Sequence, residues 1–158
     1  MAVLALTACG GGDASAPPTS GPGASAGADG ADGGGSDAGG GAVSREPLLE
    51  AKQLTTLDQP IKYPTKGPAA VSSYLLTLEP GQETGWHKNR VPLYVQVMEG
   101  TLHVEYDAGV VKDYPAGSTF MEGQGIWHNG SNVTNDAVKA LLVYFGAKGV
   151  KNTVERAS

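Results

Sequence analysis

Residues 10 to 42 contain only Gly, Ala, Ser, Asp, Pro and Thr. No aromatic and no branched aliphatic side chain interrupts that run. It cannot bury enough apolar surface to offset the entropy of ordering it, so a disordered tether is expected over 10–43. Any fold must come from residues 44–158, which is enough chain for one hydrophobic core. Cys9 is the only cysteine, so no disulfide within the chain supports that core.

The charge divides at the same place. Asp13, Asp29, Asp32 and Asp37 lie in the tail, whereas all 11 Lys and Arg lie from Arg45 onward. The remaining twelve acids leave the second part near neutral, at −1. No basic patch is evident, so nucleic acid is not an expected partner. No stretch is long and apolar enough to span a bilayer as a helix.

The amino terminus reads as an address. Leu6, Thr7, Ala8 and Cys9 resemble a bacterial lipobox, in which a small residue precedes a cysteine that is cleaved and lipidated. Residues 1–9 are then the remnant of a lipoprotein signal. A complete secretory signal has a basic region and about 7–15 apolar residues, so the true start is expected upstream of Met1. A Gly-rich coil after Cys9 would span roughly 30 Å. The expected location is the bacterial cell envelope, lipid-anchored, with the domain outside the cytoplasm and touching the membrane only through its anchor.

Short β-rich runs broken by turn residues fill the rest. Strands are expected at 71–78, 93–98, 101–106, 110–114, 119–121 and 138–145, a spacing that suits an all-β sandwich or barrel. At most one helical turn is expected, at 47–51. Within 101–106, Leu102, Val104 and Tyr106 share one face. His103 falls on the opposite face and reads as a solvated outer residue. Leu141, Leu142 and Val143 form a continuous apolar run, which suits a strand buried on both sides. Gly81, Gly100, Gly117 and Gly125 mark turns.

Two Gly-bounded segments carry the chemistry. The first places Gly81, His87, Asn89, Leu93 and Gly100 in order; the second places Gly117, Gly123, Gly125, His128 and Asn132. At these spacings the sequence resembles the cupin family over about residues 71–145. The resemblance implies a small cupin (jelly-roll) β-barrel. It also implies pairing as a homodimer, to which residues 47–68 could lend an arm. Positions 87, 89 and 93 share a parity, so they share a face if the strand is continuous. In metal-binding cupins that face is the barrel interior, and His, His and Glu there join the second-motif His around a divalent ion such as Fe, Mn, Ni, Cu or Zn.

This chain departs from that pattern. Asn89 replaces the second His and offers only a neutral oxygen, and Leu93 replaces the Glu. His87 and His128 remain as metal candidates, with Asn89 beside them. Glu122, in phase with Phe120, is the candidate third ligand or general base. Glu83 reads as exposed. Trp86 and Trp127 each precede a motif histidine, and outer-wall packing is favoured over a stacking platform. Asn132 reads as a loop cap.

Two functions remain open. One is a metal-dependent cupin acting on a small molecule, dioxygenase- or isomerase-like. The other is a non-catalytic cupin that binds a small ligand such as a sugar, with no metal. A partner-binding cap in an envelope assembly is a third reading, with no feature beyond the tether behind it. No Gly-x-Ser-x-Gly elbow and no phosphate-binding loop is present.

Overall fold

The computed structural model describes residues 43–157. Cys9, the signal remnant 1–9 and residues 10–42 of the expected tether lie outside the described residues. Among the described residues no helix is long and apolar enough to cross a membrane.

Among the described residues nine strands follow in order: β1 (Ala69–Leu78), β2 (His87–Asn89), β3 (Leu93–Glu99), β4 (Thr101–Tyr106), β5 (Val111–Pro115), β6 (Thr119–Met121), β7 (His128–Ser131), β8 (Val138–Ala147) and β9 (Thr153–Glu155). They form two antiparallel sheets. One has the order β1-β8-β3-β6, and the other β5-β4-β7-β2-β9. The chain is all-β, with the two-sheet arrangement of a jelly roll.

Alternation explains which side chains fill the space between the sheets. In β4, Leu102, Val104 and Tyr106 are buried, while Thr101, His103 and Glu105 face outward. In β3, Leu93, Val95 and Val97 do the same from the opposite sheet. Burying such side chains contributes on the order of 1.5–3 kcal/mol each before ordering costs. Val138, Ala140 and Tyr144 complete this core from β8.

Two expectations need correction. No helical turn forms at 47–51: the segment bends, and Ala51 has a φ of 45°. The run Leu141 to Val143 is not buried on both sides. Leu142 faces the interior, whereas Leu141 and Val143 lie half-buried on the outer face, because only one face of β8 meets the second sheet.

The turn between β3 and β4 is made by Gly100, at φ 72°. A Cβ there would lie 2.7 Å from the Ala137 carbonyl oxygen. Only glycine meets both the left-handed backbone and that close approach.

Candidate functional site

β2 and β7 are short and polar, and neither shows a hydrophobic pattern. Their pairing puts His87 directly opposite His128, and β4 pairs with β7 so that Tyr106 lies opposite His128. Tyr106, His128 and His87 thus form a row across three adjacent strands. The two imidazole rings are 4.4 Å apart, centre to centre. The Tyr106 ring is 5.8 Å from that of His128.

The strand carrying His87 and Asn89 is not continuous to Leu93. It breaks at residues 90–92, and the chain crosses from the five-stranded sheet to the four-stranded one. His87 and Leu93 nonetheless line the same cavity, since both sheets face it. That cavity measures about 40 Å³, room for roughly three waters. Its wall is mainly Leu76, Leu93, Val95, Leu102, Val104 and Leu142, with His87, His128, Glu122, Thr84 and Tyr144 as its polar members.

Hydrogen bonds settle the tautomers. The His87 Nδ1–H donates to the Gly85 carbonyl at 2.8 Å, and the His128 Nδ1–H donates to the Ile126 carbonyl at 2.9 Å. Burial pushes both histidines below their ordinary value of 6.5, so both rings are neutral at pH 7. A neutral ring that donates from Nδ1 must accept at Nε2. Asn89 meets that need at His128: its side-chain N–H donates to His128 Nε2 at 3.3 Å. The Asn89 oxygen faces away and accepts from the Thr153 hydroxyl at 3.1 Å. His87 Nε2 has no hydrogen-bond partner among the described residues.

Glu122 follows β6, its backbone N–H donating to the Leu93 carbonyl at 2.8 Å. The residue is 4% exposed. One carboxyl oxygen, Oε1, accepts from the Tyr106 hydroxyl at 2.7 Å and from the Gly123 amide at 2.6 Å. Desolvation raises its pKa from the usual 4.5 and outweighs the lowering by those two bonds. The same burial, with Glu122 nearby, pushes Tyr106 far up, so its hydroxyl stays protonated.

The donor set does not fit a resident metal. Asn89 turns its N–H, not its oxygen, toward His128, and so occupies the lone pair that His128 would give an ion. Leu93 presents only hydrocarbon. His87 Nε2 and Glu122 Oε2 are the two donors left, and no group of three His, Cys, Asp or Glu among the described residues could hold a metal ion. Asn89 stands as a hydrogen-bond donor to His128 at the position of a ligand candidate.

The other singled-out residues lie away from the cavity. His103 sits on the outer face with Asp113 at 2.7 Å. Glu83 is exposed and accepts from Asn129. Trp86 and Trp127 flank the Arg156 guanidinium, 4.8 and 4.9 Å from their ring centres, and Lys88 lies over Trp127. Asn132 ties the β7–β8 loop by donating to the Leu78 and Asp136 carbonyls. Sequence reasoning missed Tyr106 and Thr153. Tyr106 was legible as inward-facing, but nothing in the sequence tied it to Glu122. Thr153 belongs to a three-residue strand with no pattern of its own.

Fold and site together define a small jelly-roll barrel with a histidine-lined interior cavity. Residues 74–144 match the family model described as cupin domain. No curated protein matches the sequence. Similar solved structures include the DMSP lyase DddQ from Ruegeria pomeroyi DSS-3, at 13% identity and TM-score 0.47, covering 54% of this chain and 42% of that one. A variant oxalate decarboxylase from Bacillus subtilis shows 18% identity and TM-score 0.47, covering 54% and 23%. The oxalate decarboxylase–formate complex from Lactobacillus farciminis shows 14% and 0.47, covering 54% and 26%. This chain spans less than half the length of each.

Proposed function

We propose that this protein is a lipid-anchored, extracytoplasmic cupin that binds a small neutral molecule without a resident metal. The observation that carries the reading is the bond from Asn89 to His128 Nε2. It removes one imidazole from any ligand set and leaves two groups for a guest. His87 Nε2 is a hydrogen-bond acceptor, and the Glu122 carboxyl, whose protonated form burial favours, is a donor when it holds its proton. The imidazole is uncharged and burial disfavours the carboxylate, so this apolar wall holds no fixed counter-ion to repay a charged guest for its lost hydration. A compact molecule that both donates and accepts meets those two groups together. The lipobox at Leu6 to Cys9 and the composition of residues 10–42 support the anchored location. The metal-dependent alternative requires His128 Nε2 to be free, and the bond from Asn89 to that nitrogen favours the metal-free reading.

The test is nitrogen NMR of the imidazoles in the full chain at pH 7, with Zn²⁺ or formamide added. Two Nδ1–H tautomers that ignore one equivalent of Zn²⁺, with His87 Nε2 shifting on formamide addition, are expected. A stoichiometric metal complex that shifts His128 Nε2 would overturn the reading.

A further inference from the structure

Glu122 is buried, yet its hydrogen bonds do not end at Tyr106. The Tyr106 hydroxyl lies 3.4 Å from the Tyr114 hydroxyl. Tyr114 in turn lies 2.6 Å from the hydroxyl of Thr56, which belongs to the segment before β1. Lys112 donates to Thr56 Oγ1 at 3.3 Å and also bonds the Thr56 carbonyl. Each side chain is positioned independently of the others. Tyr114 is stacked on Phe120, with ring centres 3.7 Å apart. Thr56 is held by its backbone N–H donating to the Met121 carbonyl at 2.7 Å. Every link can be oriented one way: Lys112 to Thr56, Thr56 to Tyr114, Tyr114 to Tyr106, Tyr106 to Glu122.

We propose that this line of hydroxyls is a proton path joining Glu122 in the cavity to Lys112 at the half-buried surface. On uptake, Lys112 Nζ gives a proton to Thr56 Oγ1 as Thr56, Tyr114 and Tyr106 each pass their own forward. The Glu122 carboxylate becomes a carboxyl and the ammonium an amine. Bulk water reprotonates the amine, and the three hydroxyls rotate back. The reverse sequence discharges Glu122. No proton then needs to pass through the cavity, so Glu122 can be recharged while a guest fills it. The inference rests on Glu122 being the cavity's hydrogen-bond donor, as proposed above. It goes further by making that donor renewable, which proton-transfer chemistry on a bound molecule requires and simple capture does not.

The ionisable groups facing Glu122 are His87 and His128 in the cavity, Lys112, and the hydroxyls of Tyr106, Tyr114 and Tyr144. Tyr106 and Tyr114 would bond each other merely to satisfy two inward hydroxyls, so the test must read proton movement rather than stability. Infrared spectroscopy of the full chain follows the protonated carboxyl band of Glu122, assigned by its loss in Glu122→Gln. Its exchange rate after transfer to D₂O is the readout. Tyr114→Phe and Thr56→Val are each expected to slow exchange at least tenfold, while Tyr94→Phe, on the outer face, leaves it unchanged. Thr56→Val carries the test if Tyr114→Phe does not fold. Unchanged exchange in both path variants, or equal slowing in Tyr94→Phe, overturns the path. Absence of any Glu122 carboxyl band overturns the donor role as well, so the two failures are distinguishable.

Discussion

The Asn89 side chain donates to His128 Nε2 at 3.3 Å while its oxygen accepts from Thr153 at 3.1 Å. One amide therefore connects a cavity histidine to the carboxy-terminal strand. The direction of both bonds follows from the Ile126 carbonyl, which demands a proton on His128 Nδ1.

Replacing that amide should change what the cavity binds. Asn89→His removes the donor that occupies His128 and supplies a third imidazole beside His87 and His128. Gain of stoichiometric Ni²⁺ or Zn²⁺ binding is expected, read as a rise in melting temperature that EDTA reverses. Asn89→Ala should instead cost about 1–3 kcal/mol, because it leaves a buried His128 nitrogen unpaired. Urea denaturation measures that loss.

The histidines and Glu122 should make stability depend on pH in opposite senses. His87 and His128 have folded pKa values below the unfolded 6.5, so the unfolded chain binds more protons as pH drops. Their contribution is complete above about pH 6.5 and is lost as pH falls toward their folded values. Glu122 has the opposite sign. Its folded pKa lies above 4.5, so its contribution is present below that value and is lost as pH rises through the folded pKa. Glu122→Gln should therefore flatten the decline on the high-pH side and leave the histidine limb intact. Melting temperatures across the acid-to-alkaline range in the two proteins check this.

Arg156 should matter more for order than for stability. Its guanidinium lies over Trp86 and Trp127 and meets Asp107 at 2.8 Å, but the ion pair is half exposed and worth little by itself. Arg156→Ala is expected to cost about 1 kcal/mol, mostly from lost contact with the two rings. A red shift of tryptophan emission and faster trypsin cleavage at Lys151 would report the loosened β9. Unaltered emission and cleavage would mean that β2 pairing alone holds that strand.

Gly100→Ala should be among the most damaging single-methyl changes in the domain. The new Cβ would combine a φ of 72° with a 2.7 Å approach to the Ala137 carbonyl. Strain at such a residue costs on the order of 1–3 kcal/mol, and the clash adds to it. Gly109→Ala has a similar φ of 74° but meets nothing within 4 Å, so it should cost measurably less. Comparing the two by denaturant midpoint separates steric contact from backbone strain.

Elements whose own residues form a pattern were legible in the sequence. β4 and β6 carry the expected bounds, β1, β3 and β8 differ by one or two residues at one end, and β5 is displaced by one residue at both ends, because alternating apolar side chains mark a half-buried strand wherever it pairs. The two Gly-bounded motifs likewise placed His87 and His128 in one barrel. β2, β7 and β9 were not legible: HKN, HNGS and TVE have no apolar alternation, and they are strands only because neighbouring strands supply their hydrogen bonds. The same dependence governs the site. Asn89 was visible as a departure from a ligand pattern, but its role needed Ile126, His128 and Thr153 within reach of one another. Tyr106, Tyr114 and Thr56 acquired a connection to Glu122 only when two sheets and the segment before β1 closed around it. Side-chain periodicity is a local property that the chain carries unfolded, whereas a hydrogen bond between residues 58 or 64 positions apart exists only after the intervening chain has been placed.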